Sequence, residues 1–422
     1  MADHRKKRLS GLRLGTFGLL ASLLMAAQPA LAQRPASQAN PLDKSDLGRS
    51  KQDPDLKGVP VPVTVTPLDK VPLNKIKVPA GFKVDVYAHS MPGARTMLRG
   101  EKGTIFVGSR TIGRVYAITE KDGKREAKII LQGLTSPNGL AMRDGSLYVF
   151  AINKVLRYDK IEDNLDKLPD PVDLSAAFNL PGDTQHGWKF VAFGPDGKLY
   201  VPVGANCNIC EINPATHAHI RRYNPDGTGM EIVARGVRNT VGFDWHPVTK
   251  EFWFTDNGRD WAGEDGPEDE LNRLPKNMEG AFFGFPYCHA NAIADPDIGK
   301  PKSCEGVILP AALMGPHAAA LGMKFYTGSM FPEKFKNAAF VARHGSWNRS
   351  KRFGYDVVVA IPQKNGKAKV EPFMTGLLDQ EKNAFLGRPT HVMQMPDGAL
   401  LVSDELSGVL YRISYPAKVA AR

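Results

Sequence analysis

The chain has 422 residues, 42% of them hydrophobic and 23% charged, which excludes a disordered or collagen-like polypeptide. It carries 41 Gly and 32 Pro, a density of turn formers that favours many short strands over long helices. The formal charge of +11 is scattered, so no stripe suited to nucleic acid is expected.

Arg5, Lys6, Lys7, Arg8 and Arg13 lead into an apolar run from Leu14 to Ala27, and Ala30-Leu31-Ala32 places small residues before Gln33. That order predicts a cleavable signal over 1–32 and a periplasmic destination, with a retained anchor as the alternative. The run is short for a bilayer span, and no other long apolar stretch follows, so the mature chain is expected to have no membrane span. Residues 33–75, rich in Pro, Asp, Lys, Gln and Ser, read as an exposed lead-in to a domain over 76–422. Export also bears on Cys207, Cys210, Cys288 and Cys304. An even count in an oxidising compartment predicts two disulfides. The local pairing 207–210 with 288–304 is one of three connectivities that remain open. Glu211 rather than His follows Cys207-Asn208-Ile209-Cys210, which argues against covalently attached haem.

From Val78 onward one unit recurs: an apolar strand, a tight turn, then a second strand rich in β-branched and aromatic residues. Gly103, Gly145, Gly197 and Gly398 mark four such turns, and His246–Phe254 supplies a fifth with a longer turn. A β-hairpin with one apolar face cannot stand alone, so units at this spacing imply radial or stacked repetition. Phe340-Val341-Ala342 followed by Tyr355–Ile361 fits a further unit between the last two. Six units predict an all-β, six-bladed β-propeller, with an irregular pair of β-sandwiches as the runner-up.

In a propeller the loops at one channel mouth hold the chemistry. His186, in Gln185-His186-Gly187-Trp188, is a candidate proton acceptor because imidazole titrates near neutrality. Arg238, followed by Asn239, is suited to polarise a carbonyl or grip a carboxylate. Residues 264–270 put five carboxylates in seven positions, a pattern that fits either a cation site or a solvated loop.

Together these segments resemble the glucose/sorbosone dehydrogenase family of quinoproteins, which use pyrroloquinoline quinone (PQQ) with Ca²⁺. The resemblance rests on His186 with Phe193-Gly194-Pro195-Asp196-Gly197, Arg238-Asn239, Asp269-Glu270-Leu271-Asn272 and Gly387-Arg388-Pro389. His344-Gly345-Ser346-Trp347-Asn348-Arg349 looks like the sorbosone dehydrogenase branch. The resemblance implies an enzyme that oxidises a sugar, with His186 as general base and Arg238 beside the reactive quinone oxygen. It further implies that Asn239, Arg349 and Arg388 hold PQQ. The carbonyls of Gly258 and Arg259 would bind Ca²⁺, with Asp269 behind them. His317 is an alternative base. A separate cytochrome or quinone would take the electrons. The family often has Asp where this chain has Gln185 and Ala205, which bears on the basicity of His186. Two other classes fit the same loops: a Ca²⁺-dependent lactone hydrolase, and a non-catalytic envelope module that binds glycan or protein.

Overall fold

Alternation along the strands decides the architecture. In blade 1, Ile105 and Val107 face one way and Phe106 the other, and all three are buried. Such a strand needs an apolar surface on each face, so it must lie between two neighbouring sheets. The computed structural model describes residues 64–416, and there this requirement is met six times. Six sheets follow one another around a channel as a six-bladed propeller, with inner strands at Ala94–Arg99, Gly139–Arg143, Ala192–Phe193, Phe243–Trp245, Ala320–Phe325 and Pro389–Gln394.

Each interface between adjacent blades holds its own apolar cluster. Ile105 and Val107 pack with Met393 and Leu401 of blade 6. Phe106 instead packs with Leu140 and Val149 of blade 2. Phe340 of blade 5 joins Val392, Leu400 and Val402 of blade 6, whereas its neighbours Ala339 and Val341 face Trp253 and Leu271 of blade 4. One residue of register slip would exchange these sets, so the wedges hold each strand in place.

The ring is closed by the N-terminal strand. Lys83–Ala88 forms the outer edge of blade 6 by pairing antiparallel with Val409–Ser414, Lys83 opposite Ser414. The anticipated turns fall between the first and second strands of their blades. Gly103, Gly145, Gly197 and Gly398 all have positive φ there, and Lys250 adopts φ 62° in the longer turn of blade 4. Blade 5 replaces the tight turn with a loop containing the 3₁₀ turn Glu333–Phe335, so it lacks the short motif. The two disulfides are the local ones, Cys207–Cys210 and Cys288–Cys304.

The proposed signal, residues 1–32, lies outside the described residues. Of the stretch read as an exposed lead-in, residues 64–75 include two 3₁₀ turns, and Val71 is buried against the aromatic cluster of Phe331 and Phe335. No helix among the described residues is long and apolar enough to cross a membrane.

His391 sits on the inner strand of blade 6, and its Nδ1 accepts the Met97 N–H of blade 1 at 3.3 Å. Burial pushes its pKa down to about 3, and Lys324 adds to the effect. The folded state therefore keeps it neutral, while the unfolded chain protonates it below about 6.5. Its contribution to stability is complete above that value and is lost as the pH falls. The loss amounts to about 2 kcal/mol between pH 6.5 and 5. Denaturant unfolding of His391→Gln at these two pH values should show a difference smaller by that amount; an unchanged difference would refute the assignment.

Candidate active site

In an antiparallel hairpin the start of the first strand lies beside the end of the second. Each blade therefore delivers two short segments to the same channel mouth. His186 precedes the inner strand of blade 3, Arg238 that of blade 4, His317 that of blade 5 and Arg388 that of blade 6. Second strands contribute Arg110 from blade 1, Gly258 from blade 4, His344 from blade 5 and Glu405 from blade 6.

His186 and Arg238 meet through one residue. The Ala205 carbonyl contacts His186 Nδ1 at 2.8 Å, and the Ala205 N–H donates to the Arg238 carbonyl at 2.8 Å. Gly204 makes this approach feasible, because a Cβ there would lie 2.6 Å from His186 Cβ and 3.0 Å from the Arg238 carbonyl. A carbonyl can only accept, so Nδ1 carries the proton and Nε2 is left as the basic nitrogen. The position occupied by Ala205 thus supplies a backbone oxygen rather than a carboxylate. Burial, followed by the Arg238 charge, pushes the imidazole down to about 3, and Arg110 and Lys189 act in the same direction.

The Arg238 guanidinium is buried, and all five of its N–H donors are engaged. Nε donates to the Asn208 carbonyl at 3.0 Å. Nη1 donates to the carbonyls of Asn257 and Gly258 at 3.2 and 2.8 Å, and Nη2 to Asn208 Oδ1 and Asp260 Oδ2 at 2.8 and 3.0 Å. Its backbone N–H and that of Asn239 are held by Asp256 at 2.9 and 2.6 Å. Arg238 is therefore a fixed positive charge with no donor to spare. Asn208 was not anticipated. It lies inside the four-residue disulfide loop, accepts the Asp260 N–H at 2.8 Å and donates to the Asp260 carbonyl at 3.0 Å.

Two of the positions expected to bind Ca²⁺, the Gly258 carbonyl and Asp269, already accept hydrogen bonds. The Gly258 carbonyl is taken by Arg238. The Arg259 side chain is buried against Asp295 and Asp297, each at 2.8 Å. Asp269 accepts the N–H groups of Gly258 and Ala320 at 2.9 and 3.0 Å, which fixes the turn behind Arg238. Burial pushes its pKa up to about 7 against these two bonds. The acidic run is divided among separate tasks: Glu264 meets the Ser350 N–H, Asp265 meets Arg349, and Glu270 meets the Ala290 N–H. Among the described residues, no group of three or more His, Cys, Asp or Glu is placed to hold a metal ion.

Of the remaining expected residues, Asn239 is buried and donates to Asn257 Oδ1 at 3.2 Å. Arg349 is tied to Asp265 at 3.0 Å, part of a lattice between two loops rather than of the inner cluster. His317 uses both nitrogens, contacting the Gly263 carbonyl at 2.8 Å and Asn348 Nδ2 at 3.2 Å, which leaves no lone pair for a proton. Arg388 donates to the carbonyls of His344 and Gly345, both at 3.3 Å.

A second charged cluster escaped the reading of single motifs. Glu405 accepts from His344 Nε2 at 2.7 Å and lies 3.0 Å from Arg95 Nη1, with both side chains buried. An internal comparison of blades carries the signal. Thr255-Asp256 in blade 4 and Ser403-Asp404 in blade 6 end equivalent strands, and each Asp holds the backbone N–H of the arginine that opens its blade. The residue after Asp404 is Glu405.

The comparisons with known proteins agree with this fold. A TrAA12-like family model matches residues 76–415. An uncharacterized protein of Borreliella burgdorferi is 31% identical over 354 residues, covering 81% of this chain and 91% of its own. A pyrroloquinoline quinone-dependent pyranose dehydrogenase of Coprinopsis cinerea is 30% identical over 129 residues, 26% of this chain and only 17% of that protein. The solved PQQ domain of a pyranose dehydrogenase from the same fungus superposes with a TM-score of 0.65 at 20% identity, covering 85% of this chain and 98% of that domain. With the family model spanning all six blades, the chain belongs to the TrAA12-like family.

Proposed function

We propose that this protein is an exported, periplasmic oxidoreductase that oxidises a sugar with PQQ and hands the electrons to a separate cytochrome or quinone. The observation that carries this reading is the pairing at the mouth: a neutral imidazole with a bare Nε2 beside a buried, immobile guanidinium, joined through Ala205.

The mouth fits a flat polyanion. Arg95, Arg238 and Arg388 supply positive charge there, with Arg238 acting on His186 and Arg95 on Arg388. Buried Asn348 Oδ1 has no donor among the described residues, consistent with a polar guest. PQQ, when bound, supplies a quinone that accepts two electrons and a hydrogen as hydride. His186 Nε2 takes the hydroxyl proton of the sugar as the C–H bond breaks. Arg238, lacking a spare N–H, acts through its charge on negative oxygen that develops nearby. Arg388 and Asn239 are residues that would hold PQQ, the guanidinium through its charge on a carboxylate. Arg238 Nη1 donates to the Gly258 carbonyl, so a Ca²⁺ bound there would meet a guanidinium, and no step is routed through the ion.

Titrating the protein with PQQ, with and without added Ca²⁺, across a sugar panel and a reducible dye tests the reading; absence of both PQQ binding and dye reduction would end it. His186→Gln should lower kcat/KM by about 10²–10⁴-fold and spare PQQ binding; unchanged turnover would remove His186 from the role of base. With the folded pKa at about 3, the imidazole is neutral throughout the working range. The kcat/KM profile should therefore be flat from about pH 5 to 8 for this group. A limb near 6.5 that disappears in the variant would contradict that. Asn208→Ala frees the Nη2 edge of Arg238 and should lower kcat about tenfold with little change in the thermal midpoint. Unaltered kcat would show that Arg238 needs no such anchor.

A further inference from the structure

Arg110 is the mouth cation without an assigned task. It follows the second strand of blade 1, Ile105–Ser109, and its guanidinium carbon lies 3.6 Å from the centre of the Trp188 ring. Trp188 in turn meets His186 edge-on, ring centres 6.0 Å apart. Among the described residues Arg110 has no hydrogen bond and no carboxylate partner. Glu405, the acid whose charge reaches it, is already engaged by Arg95 and His344. Burial, then repulsion from Arg95, pushes the guanidinium down to about 10, with Arg388 adding a smaller repulsion. Trp188 Nε1 is a second donor here without an acceptor.

A half-buried cation among like charges is unfavourable, and an aromatic face offsets only part of that cost. An anion arriving with a ligand removes the imbalance. The position speaks for substrate rather than cofactor. Arg388 faces the blade 5 carbonyls of His344 and Gly345, whereas Arg110 stands on the His186 side, with the Trp188 ring between it and the base.

We propose that Arg110 is a specificity-determining contact of the substrate site, and that it selects a sugar acid, a carboxylate-bearing pyranose, over its neutral counterpart. The proposal deepens the dehydrogenase reading and rests on it. Its test compares D-glucuronate with D-glucose and D-galacturonate with D-galactose on the full chain loaded with PQQ. Dye reduction and calorimetric binding are both recorded. The wild type should favour the uronates. Arg110→Gln should reduce that preference about tenfold to hundredfold, Arg110→Lys should retain part of it, and uronate binding should weaken with added salt. PQQ affinity should be the same in all three proteins. Equal use of uronate and neutral sugar by the wild type would overturn the proposal. So would a variant that loses PQQ affinity while keeping its preference, since Arg110 would then hold the cofactor. If no sugar reduces the dye, the dehydrogenase reading falls and calorimetry decides separately. Uronate binding that disappears in Arg110→Gln would uphold the carboxylate contact, and no uronate binding at all would overturn it.

Discussion

Ring closure is the constraint on which the rest of the molecule depends. The central strands are buried on both faces, so no blade can stand with one side open to water. Pairing Lys83–Ala88 with Val409–Ser414 closes the circle with a strand from the opposite end of the chain. Once six wedges are filled, the inner strands abut around the channel and the spacing between the loops at its mouth has little freedom. The precision of the site is inherited from apolar packing some distance below it.

At that mouth the governing problem is buried positive charge. Arg238 is held mainly by carbonyl oxygens, with Asp260 as its one carboxylate partner, and Arg388 also leans on carbonyls. Carbonyl dipoles can hold a guanidinium without cancelling its charge, so the field persists where a guest arrives. The same field, added to burial, keeps His186 and His344 unprotonated. Glu405 is the counterweight: burial alone would raise its pKa, but Arg95, His344 and Arg388 hold it well below the usual range, so it remains charged.

The acidic run illustrates why composition alone misleads. Read as a string, residues 264–270 suggest a cation site. In the fold the string crosses from a loop into the strand Glu268–Leu274, and its side chains part company. Asp269 and Glu270 point to opposite sides of the strand, as period-two geometry requires, and each meets a different backbone N–H. Carboxylates adjacent in sequence are thereby prevented from sharing a ligand.

Sequence by itself determined the blade count and the turn positions, because strand alternation and positive-φ glycines are local properties, whereas which of three disulfide connectivities forms was decided by the fold. It also carried His186, Arg238 and Arg388 as openings of their blades. Only the tertiary structure decided what each of them touches. Asn208, Arg95 and Arg110 come from loops and blades far apart in the chain, and nothing local distinguishes them from surface residues; Glu405 shows itself only when blades 4 and 6 are compared. The donors of Arg238 were likewise settled by Asn208, Asn257, Gly258 and Asp260 converging on it. Hydrogen-bond saturation and charge balance are sums over neighbours in space, and those neighbours exist only after the ring has closed.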